Sequence, residues 1–405
     1  MIVLVINCGS SSLRFQLIEA EERKRLARGH VERIGAVSSI ATLAQSGQDP
    51  ERHGFKAEDH GQALNFVLEY LTSEKFKVIE GVEQIEAVGH RVVHGGEHFS
   101  DSMLIDDEVV EAIREAFDLA PLHNPANLKG VQAAQKLLPK VPHVAVFDTA
   151  FHQTLPPEAY LYAIPHRLYR RYKIRRYGFH GTSHYYVSRR LYELGEANRS
   201  DSKLITCHLG NGASLAAVHN GRSVDTSMGL TPLAGLVMGT RSGDIDPSIV
   251  FYLNEKEEMT LNEIHSLLNR YSGLLGLSGY AGDMRALMEE AEEGDVRCQQ
   301  AIKVFCYRVK SYIGQYMAAM NGCDALIFTA GIGENSHQVR SRICSGLESL
   351  GIELDPVANR EVKGEGLISR SESETAVWVI PTDEEMVIAI DAMKIARAAH
   401  QTPWA

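Results

Sequence analysis

IVLVINCGSSSLRFQLI, residues 2–18, joins two apolar runs through a Gly/Ser turn. Ile2–Ile6 reads as a core strand and Leu13–Ile18 as a second, with hydroxyls and amides at the tip between them. The same pattern returns as LITCHLGNGASLAAV at residues 204–218, where Gly210 stands as Gly9 does in the first unit. Two strand–Gly-turn–strand units about 200 residues apart predict an α/β protein of two structurally similar halves. Each half would be a mixed sheet flanked by helices.

The intervening sequence fits that plan. Ile85–Val93 and Val144–Asp148 read as strands that end at polar residues, and Asp107–Phe117 and Asn127–Leu138 as helices. In the second half Ala325–Thr329 runs directly into AGIGENS, and Val377–Ile380 ends at PTDEE. Glu385–Ala399 has apolar residues at helical spacing and closes the chain. The polar, uneven segment Glu21–Gly61 reads as an exposed arm. Strands ending in loops that bear Arg, Asp or Asn put the chemistry at a cleft edge.

At 405 residues, a prior of about 100–200 residues per domain allows two or three domains. A net charge of −11 with dispersed basic residues argues against a nucleic-acid surface. No apolar run approaches the roughly 18 residues of a membrane span. The N-terminus lacks the basic flank of a signal peptide. The six cysteines show neither CxxC pairs nor disulfide spacing, which suits reduced thiols in a cytoplasmic protein.

An acidic protein that handles anions must gather its arginines locally. MGLTPLAGLVMGTRSGDIDP, residues 228–247, is a Gly- and Pro-bent loop with little charge before Arg241. Arg91 lies in a similar setting, RVVHGG. Both suit bidentate binding of carboxylate or phosphoryl oxygens, the alternative being ion pairs with Asp148 or Asp244. No GxxxxGK[ST] and no strand-following GxGxxG occurs, so neither a Walker cradle nor a Rossmann site is expected. The turns Gly9–Ser12, Gly210–Gly212 and Gly331–Gly333 can still hold phosphate through backbone amides. Asn7, Asp148 and Glu384 offer hard oxygens of the kind Mg²⁺ takes. The spacings His90/His94/His98 and His180/His184 raise a zinc hydrolase as an alternative, but interrupting glycines and the lack of HExxH count against it.

NCGSSSLRFQL, GHRVVHGGEHF, FDTAFHQTLP, YGFHGTSH, HLGNGAS, the 228–247 loop and FTAGIGENS together resemble the acetate kinases. These form the acetokinase family within the sugar kinase, heat-shock chaperone ATPase and actin superfamily, and the likeness runs in order from residue 2 to about residue 395. The resemblance implies two ribonuclease-H-like domains of the actin-like ATPase type with an interdomain active-site cleft. Residues 1–150, completed by the helix 385–400, would form the first domain, and 151–384 the nucleotide-binding second.

Carried over residue by residue, the resemblance implies catalytic roles for Arg91, Asp148, His180 and Arg241, and Mg²⁺ (or Mn²⁺ in its place) near Asn7 and Glu384. ATP or ADP would meet Arg14, His208, Leu209, Gly210, Asn211 and Gly212. It would also meet Asp283, Met284 and Arg285, then Gly331, Ile332, Gly333, Glu334 and Asn335. Val93, Leu122, Phe179 and Pro232 would line an acetate-methyl pocket, with Arg91 on the carboxylate. Arg14, Cys8 and Ala234 stand where the family commonly has lysine, alanine and glutamate, which touches local packing and salt bridges rather than the reaction. The implied reaction is ATP + acetate ⇌ ADP + acetyl phosphate, with propionate as the alternative acceptor, in a homodimer with neither nucleic-acid nor membrane partners. An ATPase-driven chaperone or filament protein of the same superfamily is a further alternative.

Overall fold

The computed structural model describes residues 1–121 and 123–401, with side chains through residue 399. The chain divides into two compact units, Met1–Gln153 with the segment from Asp383 onward, and Thr154–Thr382. This division puts Glu384 in the unit that contains Asn7.

In the first unit the described strands are β1 (Ile2–Gly9), β2 (Ser12–Glu19), β3 (Lys24–Glu32), β4 (Ser39–Gln45), β5 (Glu51–Phe55), β6 (Ala87–Val92), β7 (Met103–Leu104) and β8 (His143–Phe147). They form one sheet in the order β5-β4-β3-β2-β1-β6-β8-β7. In the second unit β9 (Lys203–Leu209), β10 (Ala213–His219), β11 (Arg222–Thr226), β12 (Ala325–Thr329), β13 (Gly366–Leu367) and β14 (Ala376–Val379) run β11-β10-β9-β12-β14-β13.

The two sheets share a five-strand plan. Each has an antiparallel meander of three strands, β1–β2–β3 in one and β9–β10–β11 in the other. The first strand of each meander then pairs in parallel with a later strand, which pairs in parallel with another. The hairpin tips differ. Gly9 pairs with Ser12 across a two-residue turn, whereas Leu209 pairs with Ala213 across Gly210, Asn211 and Gly212.

The expected arm Glu21–Gly61 is instead three strands that widen the first sheet, followed by the helix His60–Thr72. Its polarity belongs to one face. Ala27, Val31, Ala41 and Leu43 alternate inward to join Leu4, Ile6, Leu13 and Phe15 in the core, as the period-2 rule requires of a half-buried antiparallel sheet. The opposite face of β1, β6 and β8 packs on the closing helix Glu384–Gln401 through Val3, Val5, Ile388 and Ala392.

Cys8 fits by a matched deletion. A Cβ on Gly130, in the helix Asn124–Leu137, would collide with the Cys8 sulfur, so the glycine makes room for the larger side chain. No described helix is long and apolar enough to cross a membrane.

Candidate active site

In the first unit three parallel strands carry their polar residues to the same edge. Asn7 lies near the end of β1 and Arg91 near the end of β6, while Asp148 directly follows β8. Two asparagines of the helix Asn124–Leu137 fix these ends. Asn127 donates to the Cys8 carbonyl at 2.7 Å and accepts from the Val93 N–H at 3.1 Å. Asn124 accepts from the His94 N–H and donates to its carbonyl. Neither asparagine stands in a recognisable motif, so their role is not legible in the sequence.

Arg91 Nε donates to Asp148 Oδ1 at 2.9 Å and Nη2 to Oδ2 at 2.7 Å. The ion pair with Asp148 is therefore formed, and it leaves the guanidinium edge partly accessible. Burial works against the Arg91 charge, but the carboxylates of Asp148 and Glu384 outweigh it and push the pKa up. The Glu384 pKa also rises, which for a carboxyl favours the neutral form. Burial raises its carboxyl to about 7, with Arg91 opposing and Asp148 adding to the rise.

Asn7, Arg14, Arg91 and Glu384 line one cavity of about 330 Å³. Within the sheet, Asn7 pairs directly with Arg14 of β2. Glu384 begins the closing helix, where the preceding Asp383 accepts from the Met386 N–H and from Arg25 Nη2 at 2.5 Å. Glu384 Oε1 is buried and makes no hydrogen bond. An orphaned carboxylate oxygen and an amide on one cavity fit a divalent hard cation that keeps most of its waters. Among the described residues no cluster of three or more His, Cys, Asp or Glu could hold a metal, and His90 is engaged with His143.

In the second unit, His208–Gly212 occupies the end of β9 and its turn, and Gly331–Asn335 follows the adjacent parallel strand β12. The expected turn at Gly331–Gly333 is a short helix, Ala330–Asn335. Ala330 takes a left-handed φ of 63°, and its N–H is held at 2.7 Å by Glu334 Oε1, which also accepts from the Thr382 N–H. The chain therefore turns into helix without a loop. Buried Arg340 clamps this helix by donating to the carbonyls of Gly333 and Glu334, and burial lowers its pKa to about 10.

Close backbone approach draws the remaining segments together. The Gly239 N–H donates to the Asn211 carbonyl at 2.9 Å, and a Cβ on Gly282 would lie 2.8 Å from the Gly239 carbonyl. Glycine is needed at such contacts because no side chain fits. Asp283 caps the helix Met284–Glu292 by accepting from the Arg285 and Ala286 N–H groups, and Met284 is buried.

His180, with a left-handed φ of 55°, precedes the helix Gly181–Glu193. Its ring stacks on His208 with centroids 4.1 Å apart. A Cβ on Gly212 would sit 3.4 Å from His180 Nε2 and 3.7 Å from Arg241 Nη1, so the imidazole and the guanidinium flank the same glycine. Ser214 Oγ lies 2.9 Å from His180 Nδ1 and 2.8 Å from His184 Nε2, and His184 Nδ1 lies 2.7 Å from Thr206 Oγ1.

Arg241 makes no ion pair with Asp244. Its Nη1 donates to the Pro232 carbonyl at 3.0 Å and lies 3.5 Å from the Met238 sulfur. Burial lowers its pKa. A half-buried guanidinium without a carboxylate partner among the described residues keeps donors that can meet an anion.

Of the acyl-pocket candidates, buried Val93 belongs to the first unit, and buried Phe179 and half-buried Pro232 to the second. Leu122 lies outside the described residues.

The acetokinase family model matches residues 2–390. The chain belongs to that family. It is 55% identical to the acetate kinase of Thermotoga maritima over 98% of both chains, and 52% identical to that of Treponema denticola over 98% of this chain and 100% of the relative. The crystal structure of Porphyromonas gingivalis acetate kinase superposes with a TM-score of 0.94 at 46% identity, covering 97% of this chain and 99% of the other. A propionate kinase from Francisella tularensis gives 0.91 at 41% identity, covering 97% and 99%. The repeated sheet plan is thus the ribonuclease-H-like pair of the actin-like ATPases, and the fold is that of the acetokinase family.

Proposed function

We propose that the chain is an acetate kinase, moving the γ-phosphoryl of ATP to acetate and back. The observation that carries this reading is Arg241, a half-buried guanidinium that pairs with no carboxylate among the described residues, set beside His180 at a Gly-lined turn. Acetate, with a pKa near ~4 like other carboxyls, is ionised at neutral pH, so the attacking oxygen needs no base. What the reaction needs is alignment of two anions and stabilisation of charge on the equatorial phosphoryl oxygens.

In this reading Arg241 and His180 donate to the phosphoryl in transfer, and Arg91 binds the acetate carboxylate. Asp148 holds the Arg91 fork in plane and takes no proton. Asn7 and Glu384 would hold Mg²⁺, which when bound supplies neutralisation of phosphate charge. The segments 208–212, 283–285 and 331–335 would bind the nucleotide, and the resemblance adds Arg14. By the family resemblance, Val93, Leu122, Phe179 and Pro232 would be the residues that select for the methyl group. One methylene in such a pocket is worth only about 1–3 kcal/mol, so propionate is a slower second substrate.

We place the enzyme in the cytoplasm as a homodimer. Exposed Phe251, Tyr252 and Leu261 offer apolar area for pairing, which sizing by light scattering would check. A hydroxylamine trap tests the central reading. Acetate with MgATP gives acetohydroxamate, and propionate gives less. Absence of product with either acid overturns the assignment.

A further inference from the structure

The loop 228–247 has almost no regular secondary structure, yet its backbone is tied down at both ends from below. At its entry Arg176 Nη1 donates to the carbonyls of Thr226, Ser227 and Met228 at 2.6, 3.0 and 3.3 Å. At its exit Gly235 and Asp244 close a ring that contains Arg241. The Gly235 N–H donates to Asp244 Oδ1 at 2.7 Å, and the Asp244 N–H donates to the Gly235 carbonyl at 2.9 Å. The other carboxylate oxygen, Oδ2, accepts from the Tyr312 hydroxyl at 2.5 Å.

Tyr312 stands on the helix Val296–Met320, which spans 25 residues and packs against β10 and β9. Its neighbour one turn on, Tyr316, is fully buried with a hydroxyl that makes no hydrogen bond. The polar group chosen to meet the loop is therefore the Tyr312 hydroxyl, and a charge-assisted bond of this kind is among the stronger ones available.

We infer that Asp244 and Tyr312 form a latch that fixes the 235–244 ring on the long helix and thereby positions Arg241 and Pro232 for transfer. Arg241 reaches the Pro232 carbonyl through its own Nη1, so a shift of the ring moves the guanidinium and the pocket wall together. Both latch residues are positioning residues. The inference rests on the proposed roles of Arg241 and Pro232.

Kinetics on acetate and propionate with melting temperatures alongside test it. Tyr312→Phe removes only the hydroxyl. We expect turnover on acetate to fall about tenfold and the acetate-to-propionate ratio of kcat/KM to drop at least about threefold, with KM for ATP unchanged. Asp244→Ala loses more. Asp244→Asn, whose amide can still bond both the Gly235 N–H and the Tyr312 oxygen, recovers most of the turnover and the ratio.

Wild-type turnover and ratio in Tyr312→Phe, while Arg241→Ala is inactive, overturn the latch but leave the reading of Arg241. A loss that tracks the unfolded fraction with the ratio unmoved reduces the pair to ordinary structure and also overturns it. Retained turnover in Arg241→Ala defeats the parent reading and the latch with it.

Discussion

Arg91 and Asp148 are joined by two near-parallel hydrogen bonds of 2.9 and 2.7 Å, from the ends of adjacent parallel strands. A carboxylate with both oxygens committed to a guanidinium is placed to orient it, not to shuttle protons. The turnover of the wild-type enzyme on saturating acetate should therefore show a solvent deuterium isotope effect near one. Asp148→Ala should raise KM for acetate by roughly tenfold or more, since an arginine freed of its fork samples other rotamers. A large isotope effect would restore a proton-transfer role to Asp148.

Arg241→Ala should lower turnover by roughly 10³-fold or more, the scale of an arginine that stabilises a transferring phosphoryl. Arg241→Lys should recover little, because an ammonium offers a point charge where the site offers room for a planar fork. A loss below tenfold in Arg241→Ala would remove it from the reaction.

Ser214 has one hydroxyl proton and two imidazole neighbours. For neutral His180 to present an N–H at Nε2, Ser214 must donate to His180 Nδ1 and accept from His184. Ser214→Ala should thus cost about tenfold in turnover at pH 8. Turnover of wild-type size in Ser214→Ala would sink this account.

Glu384→Gln should raise the Mg²⁺ concentration for half-maximal activity by about tenfold or more. Without metal the same variant should melt no lower than wild type at pH 8, because it removes a buried, unpartnered carboxylate oxygen. Calorimetric Mg²⁺ titration and thermal melts check the two halves separately, and an unchanged Mg²⁺ requirement would remove Glu384 from the metal site.

His90 and His143 are buried and 3.0 Å apart. Because His143 Nε2 donates to the Leu138 carbonyl, its Nδ1 accepts from His90. Burial lowers both pKa values, with the neighbouring ring adding to the effect at His90. Below about pH 6.5 the unfolded chain binds more protons than the folded one, so stability falls with pH, by up to about 1.4 kcal/mol per unit for each histidine. Above that range this contribution is fully present. Urea midpoints measured from pH 7 to 5 should decline, and less so in His90→Asn; a flat series would refute the sign.

The fold was legible where apolar pattern and turn chemistry agreed. The two hairpins, β12, and the closing helix all follow from runs such as Ile2–Ile6 and Ala325–Thr329 that no loop would tolerate. Glu21–Gly61 looks like an arm by composition yet folds as strands, because alternate residues along its strands face the core. The site was legible as residue types at strand ends. Its supports were not, since Asn127, Ser214 and Arg340 act through contacts 119, 34 and 7 residues away in sequence, which no local spacing reveals. Nor could the sequence tell which arginine spends its charge inside the protein: Arg91 does, on Asp148, and Arg241 does not.

The bond from Arg241 to the Pro232 carbonyl constrains how the enzyme can diversify. Under the proposed roles, replacing Pro232 to enlarge the acyl pocket would release a backbone restraint on the residue whose carbonyl holds Arg241, so a broader acceptor range gained there would be coupled to slower transfer. Val93 is held by Asn127 through its main chain alone, and its side chain carries no such tie. Lineages that adopt longer carboxylates without losing rate are expected to have changed residue 93 first.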